Sequence, residues 1–177
     1  MERQVMQVNR IKETIAKDDL LFHSVHGLCR VASVSPGAQS KESSYLLFPV
    51  PSNRAKARFT IPESLLVDSG FSKLISVKEA NAILEYFKTG AKKASECGQA
   101  WTLASMIWSE SLSKDPVKDT RKRQMLGRSV KGLAGEIAYV LKFTIKEVAT
   151  KIQRNLGSPS KINPLVLTAL ANADDDE

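Results

Sequence analysis

Four basic side chains in one short stretch have a spacing that could bind an anionic polymer. They are Arg121, Lys122, Arg128 and Lys131. On a helical wheel of about 100° per residue, Arg121, Arg128 and Lys131 fall on the same side, with glycines among them. Arginine and lysine bind phosphate groups through charge and N–H donors, without a reactive nucleophile. The spacing indicates a candidate phosphate-binding face, and an ordinary solvated face is the alternative.

The other side of this stretch is apolar, which predicts one amphipathic helix over residues 119–141. Asp119 is the predicted N-cap, because its carboxylate can accept from free backbone N–H groups and suits the positive end of the helix dipole. The helix should bury its apolar side and present the basic side to solvent. The apolar positions are Leu126, Val130, Leu133, Ile137 and Val140.

Trp101 is a candidate contact for a nucleic-acid base or sugar. It precedes Trp108 by seven residues, so the two indoles share a helix face that is offset from the apolar pair Leu103 and Ile107. A tryptophan beside a basic helix can wedge against a base. Packing in the core is the alternative, and the sequence leaves both open.

Residues that usually carry catalysis or bind metals are sparse. His23 and His26 form an HxxH pair, but no carboxylate or thiol pair is positioned to complete a metal site. Cys29 and Cys97 are too few for a disulfide framework. No nucleotide-binding loop or hydrolase motif is present. We therefore predict a non-enzymatic protein with no catalytic residues, no metal and no cofactor.

The net charge of +7 is unevenly distributed along the 177 residues. Residues 90–157 hold 13 Lys/Arg against 6 Asp/Glu, whereas residues 1–89 hold 12 against 9 and residues 158–177 hold 1 against 4. The basic excess coincides with the candidate phosphate-binding face and favours a polyanionic partner. The absence of a signal peptide, and of an apolar run of the ~20 residues that a membrane span needs, predicts a reduced, cytoplasmic protein without membrane contact.

Short strands dominate the first half of the chain. They are predicted at residues 20–23, 28–34, 44–50 and 57–61, separated by turns rich in Pro, Gly and Ser. This pattern predicts a small, strongly bent antiparallel sheet or barrel. Arg58 and Thr60 share a face of the last strand by the two-residue period. That strand could extend the sheet of a partner, or Arg58 could guard an exposed edge.

Helical periodicity dominates the second half, so the predicted fold class is α+β, with a barrel-like β module before a compact all-α module. Capping boxes begin helices at Ser76 and Thr144, and a further helix is predicted over residues 99–112. The acidic C-terminus could lie on the basic helix. The predicted divisions are an N-terminal arm (1–18), the β module (19–75), a hinge helix and linker (76–97), the helical module (98–157) and a C-terminal tail (158–177).

Two blocks of sequence resemble the CarD/CdnL family of bacterial transcription regulators. The first block comprises LLFHSVHGLCRV (20–31), SYLLF (44–48), RFTIPE (58–63) and LI (74–75). The second is RQMLGRSVKGLAGEIA (123–138), which is similar to that family's Lys-Arg-Met-Leu…Gly-Glu-Leu-Ala helix. The two blocks stand in the family's order, and the resemblance covers about residues 19–157.

The resemblance implies a Tudor-like domain that binds the β subunit of RNA polymerase. It also implies a helical domain that contacts promoter DNA at the upstream edge of the transcription bubble and stabilises the open complex. The family's DNA-facing basic position falls on Arg128. The basic residue before its strand-ending Pro falls on Thr60, for which Arg58 could substitute. The family's linker tryptophan has no counterpart in residues 88–98, which leaves Trp101 as the candidate wedge.

Two functions follow as expectations. The first is a monomeric regulator that docks on polymerase through Arg58 and Thr60 and contacts promoter DNA, largely without sequence preference. The second is an adaptor that docks on polymerase and recruits another protein without touching DNA. The missing linker tryptophan favours the adaptor, and the basic excess favours the regulator. The predicted DNA contacts of the regulator are Trp101, Arg121, Lys122, Arg128 and Lys131.

Overall fold

The computed structural model describes residues 15–23, 25–37, 42–50, 57–114 and 119–175. The chain divides into two compact units, Met1–Leu74 and Ile75–Glu177. The first unit is built on a β-sheet and the second is helical. The predicted α+β class, with the β part first, is confirmed.

In the described residues of the β unit, five antiparallel strands form one sheet. Their order across the sheet is fourth, third, second, first, fifth. The fifth strand was not predicted from the sequence. It returns to pair with the first, where Lys73 aligns with Leu21. The strands are β1 (Leu20–His23), β2 (Gly27–Ser35), β3 (Ser44–Pro49), β4 (Phe59–Pro62) and β5 (Phe71–Lys73).

The sheet curls into a half-barrel. Phe59 of β4 and Phe71 of β5 come from opposite edges of the sheet, yet their ring centroids are only 5.8 Å apart. A flat sheet would hold these edges roughly 19 Å apart. A bulge between Val31 and Ser33 adds to the bend. The predicted bent antiparallel sheet is therefore confirmed. Its core consists of Ile15, Leu21, Cys29, Val31, Tyr45, Leu47, Leu66 and Phe71.

Five α-helices make up most of the described part of the helical unit. Both predicted capping boxes are confirmed, because Ser76 and Thr144 each accept from the N3 backbone N–H while the N3 glutamate accepts from the cap. Asp119 caps the third helix, and its Oδ1 accepts from the N–H of Arg121 at 2.9 Å. None of the helices in the described ranges combines the length and apolarity needed to cross a bilayer. The helices are α1 (Val77–Thr89), α2 (Gln99–Leu112), α3 (Thr120–Leu141), α4 (Ile145–Leu156) and α5 (Pro164–Ala171).

The third helix is the centre of this unit, because α3 packs against each of the other four helices. Its buried stripe includes Leu126, Val130, Leu133 and Ile137, as predicted, while Val140 is half-buried. Burial of one stripe fixes the rotation of a helix about its axis. The opposite, basic side of α3 is therefore held toward solvent.

One carboxylate is buried in the helical core. Glu136 of α3 is 1% exposed, and its Oε1 accepts from the backbone N–H of Ile75 at 3.0 Å. Its Oε2 has no hydrogen-bond partner among the described residues. Burial is the main cause that raises the pKa of Glu136 to about 7; the bond from Ile75 opposes it and the charge of Glu79 adds to it.

The predicted domain boundaries differ from the structure on both sides of the helical module. Residues 76–97 were predicted as a hinge helix and linker, but α1 packs against α3 and α4, and Asn155 Nδ2 donates to the Leu84 carbonyl oxygen at 2.7 Å. The predicted tail contains α5, which packs on α3. Both segments carry an apolar face that needs this core. Of the predicted N-terminal arm, residues 1–14 lie outside the described residues.

Candidate nucleic-acid interface

The exposed side of α3 carries two of the four predicted basic contacts. Arg121 and Arg128 are both exposed. They are seven positions apart on the helix, which is two turns and about 10 Å along the axis. Because the opposite stripe is packed in the core, both guanidinium groups project from a fixed helix and not from a loop. We call the exposed side of α3 from Arg121 to Lys131 the basic face.

The two predicted lysines are engaged within the helical unit. Lys122 Nζ forms an ion pair with Glu110 Oε2 of α2 at 3.3 Å. Lys131 is half-buried, and its Nζ donates to the backbone carbonyl oxygen of Asp175 at 2.7 Å. This contact agrees with the predicted approach of the acidic C-terminus to the basic helix. Lys122 thus points toward α2, and Lys131 would have to exchange Asp175 for a phosphate.

A glycine opens the surface beside these cations. Gly135 lies one turn after Lys131, and a Cβ added to it would meet no heavy atom within 4 Å outside its own helix backbone. Internal packing therefore does not require a glycine at this position. Compared with alanine, the glycine costs α3 roughly 1 kcal/mol of helix propensity. What it provides is room for a ligand backbone to approach the helix closely.

The position of Trp101 contradicts the prediction that it contacts DNA. Its side chain is 2% exposed, and its ring meets that of Tyr86 in α1 edge-on, with centroids 5.8 Å apart. Trp108 lies at the same distance from Tyr86. The two indoles therefore join α2 to α1, as the packing alternative expected. The helical wheel could not show this, because it assumes one buried side, whereas α2 packs against three helices, α1, α3 and α5.

Exposed aromatic rings occur instead at the C-terminal end of α3. Tyr139 is 43% exposed, and Phe143, just past the helix, is 41% exposed. Lys142 Nζ lies 4.6 Å from the centroid of the Tyr139 ring, and Lys151 Nζ lies 5.0 Å from that of Phe143. Sequence reasoning missed these residues. The signal was present for Tyr139, which follows Arg128 by three helical turns and so shares its side.

The β unit has a second candidate surface at one edge of its sheet. Of the described strands, only β3 pairs with β4. Thr60 is exposed and aligns with Leu46 of β3, and Arg58 is exposed one residue before β4. Both residues predicted for protein docking therefore lie at an edge that a partner strand could extend.

Arg58 is held against the outer side of this sheet. Its guanidinium carbon lies 5.5 Å from the centroid of the Phe48 ring in β3. Exposed Arg30 of β2 aligns with Phe48 from the other neighbouring strand. The half-buried ring of Phe48 thus lies between Arg30 and Arg58. The sequence did not indicate Arg30 or Phe48, because cross-strand neighbours depend on register.

The histidine pair has a structural role. His23 Nδ1 accepts from the backbone N–H groups of Val25 and His26, and its Nε2 donates to the Ser69 carbonyl oxygen at 2.9 Å. Burial lowers the pKa of His23, which favours this neutral ring. Burial also raises the pKa of the Cys29 thiol to about 11 and so disfavours the thiolate. In the described ranges, no cluster of three His, Cys, Asp or Glu residues could hold a metal.

The basic face and the β4 edge are the two surfaces where predicted contact residues are exposed. The basic face belongs to the helical unit and the β4 edge to the β unit. The physical basis for assigning a function to these surfaces is their charge, exposure and geometry. The resemblance of the two sequence blocks is a separate argument. No protein-family model matches the chain, and no curated protein matches it either.

Proposed function

We propose that the protein is a transcription regulator that docks on the β subunit of RNA polymerase and contacts the backbone of promoter DNA, so modulating the stability of the open complex. The observation that carries the DNA contact is the pair of exposed guanidinium groups, Arg121 and Arg128, held on one side of a core-packed helix. The polymerase partner and the Tudor-like identity of the β unit rest on the resemblance to CarD/CdnL regulators.

Phosphate binding by the basic face would be independent of base sequence. Each guanidinium can donate two parallel hydrogen bonds to one phosphate, and the separation of about 10 Å spans roughly three base-pair steps of one strand. Contacts of this kind position a protein on DNA without reading bases. The affinity should therefore fall steeply with salt concentration.

Arg128→Glu should weaken duplex DNA binding roughly tenfold or more. The substitution removes a charge-assisted hydrogen bond, worth about 1.5–3 kcal/mol, and brings a carboxylate to a phosphate. The slope of log affinity against log salt concentration should fall in magnitude by about one, since one phosphate contact is lost. Fluorescence anisotropy of a labelled duplex across a salt series measures both quantities.

The matched control is Lys161→Glu, which makes the same change of charge at an exposed position outside α3. If Arg128→Glu lowers the affinity no more than Lys161→Glu does, the basic face is not the DNA contact. Circular dichroism of both variants verifies that α3 still folds.

Docking on polymerase is proposed for the β4 edge. Arg58→Glu should lower the affinity for an isolated polymerase β-subunit fragment roughly tenfold, because it replaces an exposed cation on this surface by an anion. Biolayer interferometry with the immobilised fragment measures this, and Lys17→Glu, exposed elsewhere in the unit, is the control of equal charge change. Equal binding by the two variants would move the interface away from Arg58.

The adaptor remains the second candidate, and the burial of Trp101 favours it, since the predicted base contact is absent from the surface. An adaptor would dock on polymerase as the regulator does but would not bind duplex DNA. It would also leave promoter opening by purified polymerase unaltered. A permanganate footprint of an open complex, with and without the protein, separates the two functions.

A further inference from the structure

Beyond Lys131, the exposed side of α3 that carries the basic face continues to an aromatic ring. Tyr139 follows Gly135 by one turn and Arg128 by three, which places its ring about 16 Å along the axis from Arg128. The side chains between them on this side are thinned by Gly135, where an added Cβ would meet open space. A chain bound along the basic face would therefore reach Tyr139 without a steric barrier from this glycine.

The ring of Tyr139 ends this line, and a second partly exposed ring, Phe143, follows just past the C-terminus of α3. The ammonium of Lys142 lies over Tyr139 at 4.6 Å, and that of Lys151 lies over Phe143 at 5.0 Å. Both rings expose about two-fifths of their surface. Single exposed aromatics are common, but an exposed ring that carries a cation and lies on the same helix side as Arg121 and Arg128 combines a stacking surface with charge for a phosphate.

The stretch of chain that follows Tyr139 is rich in exposed cations, which suits an anionic ligand. Lys142, Lys146 and Arg154 are exposed. Residues 142–154 contain one carboxylate, Glu147, which accepts from the backbone N–H of Thr144 at 2.7 Å in the capping box of α4, so cations outnumber carboxylates in this stretch. A duplex offers phosphates but keeps its base faces stacked. An unpaired strand offers phosphates and free base faces together, and therefore fits this mixture of cations and rings.

We infer that Tyr139, with Lys142, forms a stacking platform for an unpaired base next to the duplex held by the basic face. The inference rests on the proposed DNA contact and deepens it, because it names unpaired nucleic acid as the ligand of this end of α3. The base would stack on the phenol ring and displace the lysine, whose flexible stem lets the ammonium reach the adjoining phosphate. Stacking of this kind is tolerant of base identity.

The test compares a labelled duplex with the same duplex carrying an unpaired oligothymidine overhang. The full-length protein should bind the overhang substrate more tightly than the duplex. Tyr139→Ala and Tyr139→Leu should each reduce overhang binding roughly 5- to 150-fold, the range for loss of one base–aromatic stack, and leave duplex binding unchanged. Tyr139→Phe keeps the ring and should bind like the unmodified protein. Val77→Ala, at an exposed apolar position on α1, is the control.

The outcomes separate this inference from the proposed function. Arg128→Glu should lower the affinities for the duplex and for the overhang substrate by the same factor. Tyr139→Ala should remove only the extra affinity for the overhang substrate. If the overhang gives no gain, or if Tyr139→Leu retains the gain, the platform is overturned and the exposed rings belong to a protein contact, while the Arg128 result still decides duplex binding. If neither substrate binds, the proposed DNA contact and the platform are both wrong.

Discussion

Gly90→Ala is expected to destabilise the helical unit by roughly 2–5 kcal/mol. Gly90 ends α1 with φ of +69°, and an added Cβ would lie 2.4 Å from a carbon of the Trp108 indole. The left-handed conformation costs a non-glycine residue about 1–2 kcal/mol, and overpacking against a stiff ring adds about 1–3 kcal/mol. Urea unfolding followed by tryptophan fluorescence measures the loss, because both tryptophans of the chain lie in this unit.

The control for Gly90 is Gly27, which has the same φ of +69° but no heavy atom within 4 Å of an added Cβ. Gly27→Ala should lower the unfolding free energy of the β unit only by the cost of the left-handed conformation, about 1–2 kcal/mol. Unfolding followed by far-ultraviolet circular dichroism measures this loss. Equal losses at the two positions would show that the Trp108 contact adds nothing.

Glu136→Gln is expected to remove a pH dependence worth roughly 3 kcal/mol. Folding raises the pKa of Glu136 from 4.5 to about 7, so between these values the folded unit holds a proton that the unfolded chain has released. The stabilisation from this group is complete below pH 4.5, declines as pH rises, and is lost above about pH 7, with each pKa unit worth about 1.4 kcal/mol. Glutamine can still accept from the N–H of Ile75 but does not titrate.

The measurement is urea unfolding of the helical unit between pH 5 and pH 8, followed by tryptophan fluorescence. The native protein should lose stability over this interval, and the glutamine variant should change less. Glu85→Gln provides the control, because Glu85 is exposed and pairs with Lys88 on the surface. Parallel pH profiles for the native protein and Glu136→Gln would show that Glu136 does not titrate in this range.

Local signals in the sequence predicted much of the fold. A capping side chain bonds to backbone groups within one helical turn of itself. Ser76, Asp119 and Thr144 could therefore be identified as caps without knowledge of any distant contact. The strands with several alternating or β-branched residues were found for the same reason. β5 was missed because three residues carry no period, and its pairing with β1 joins positions about fifty residues apart.

The candidate site was predictable only where one helix determines it. The wheel separated Arg121 and Arg128 from the buried stripe, because both sets lie on α3. It failed where a second element decides the environment. Lys122 pairs with Glu110 of α2, Trp101 is buried against α1, and Lys131 contacts Asp175 across forty-four residues. For the same reason, the sequence did not show that α1 belongs to the helical core and is not a hinge.

The glycines of α3 link ligand binding to folding. Alanine at Gly127 or Gly135 would meet no obstacle outside the helix backbone and would add roughly 1 kcal/mol of helix propensity at each position, so α3 holds less intrinsic helicity than its surroundings permit. Its order must come from packing against the other four helices. Arg121 and Arg128 thus share one side only while that core is intact. A polyanion bound there would raise the melting temperature of the whole unit by mass action, and core substitutions far from the surface would weaken its binding.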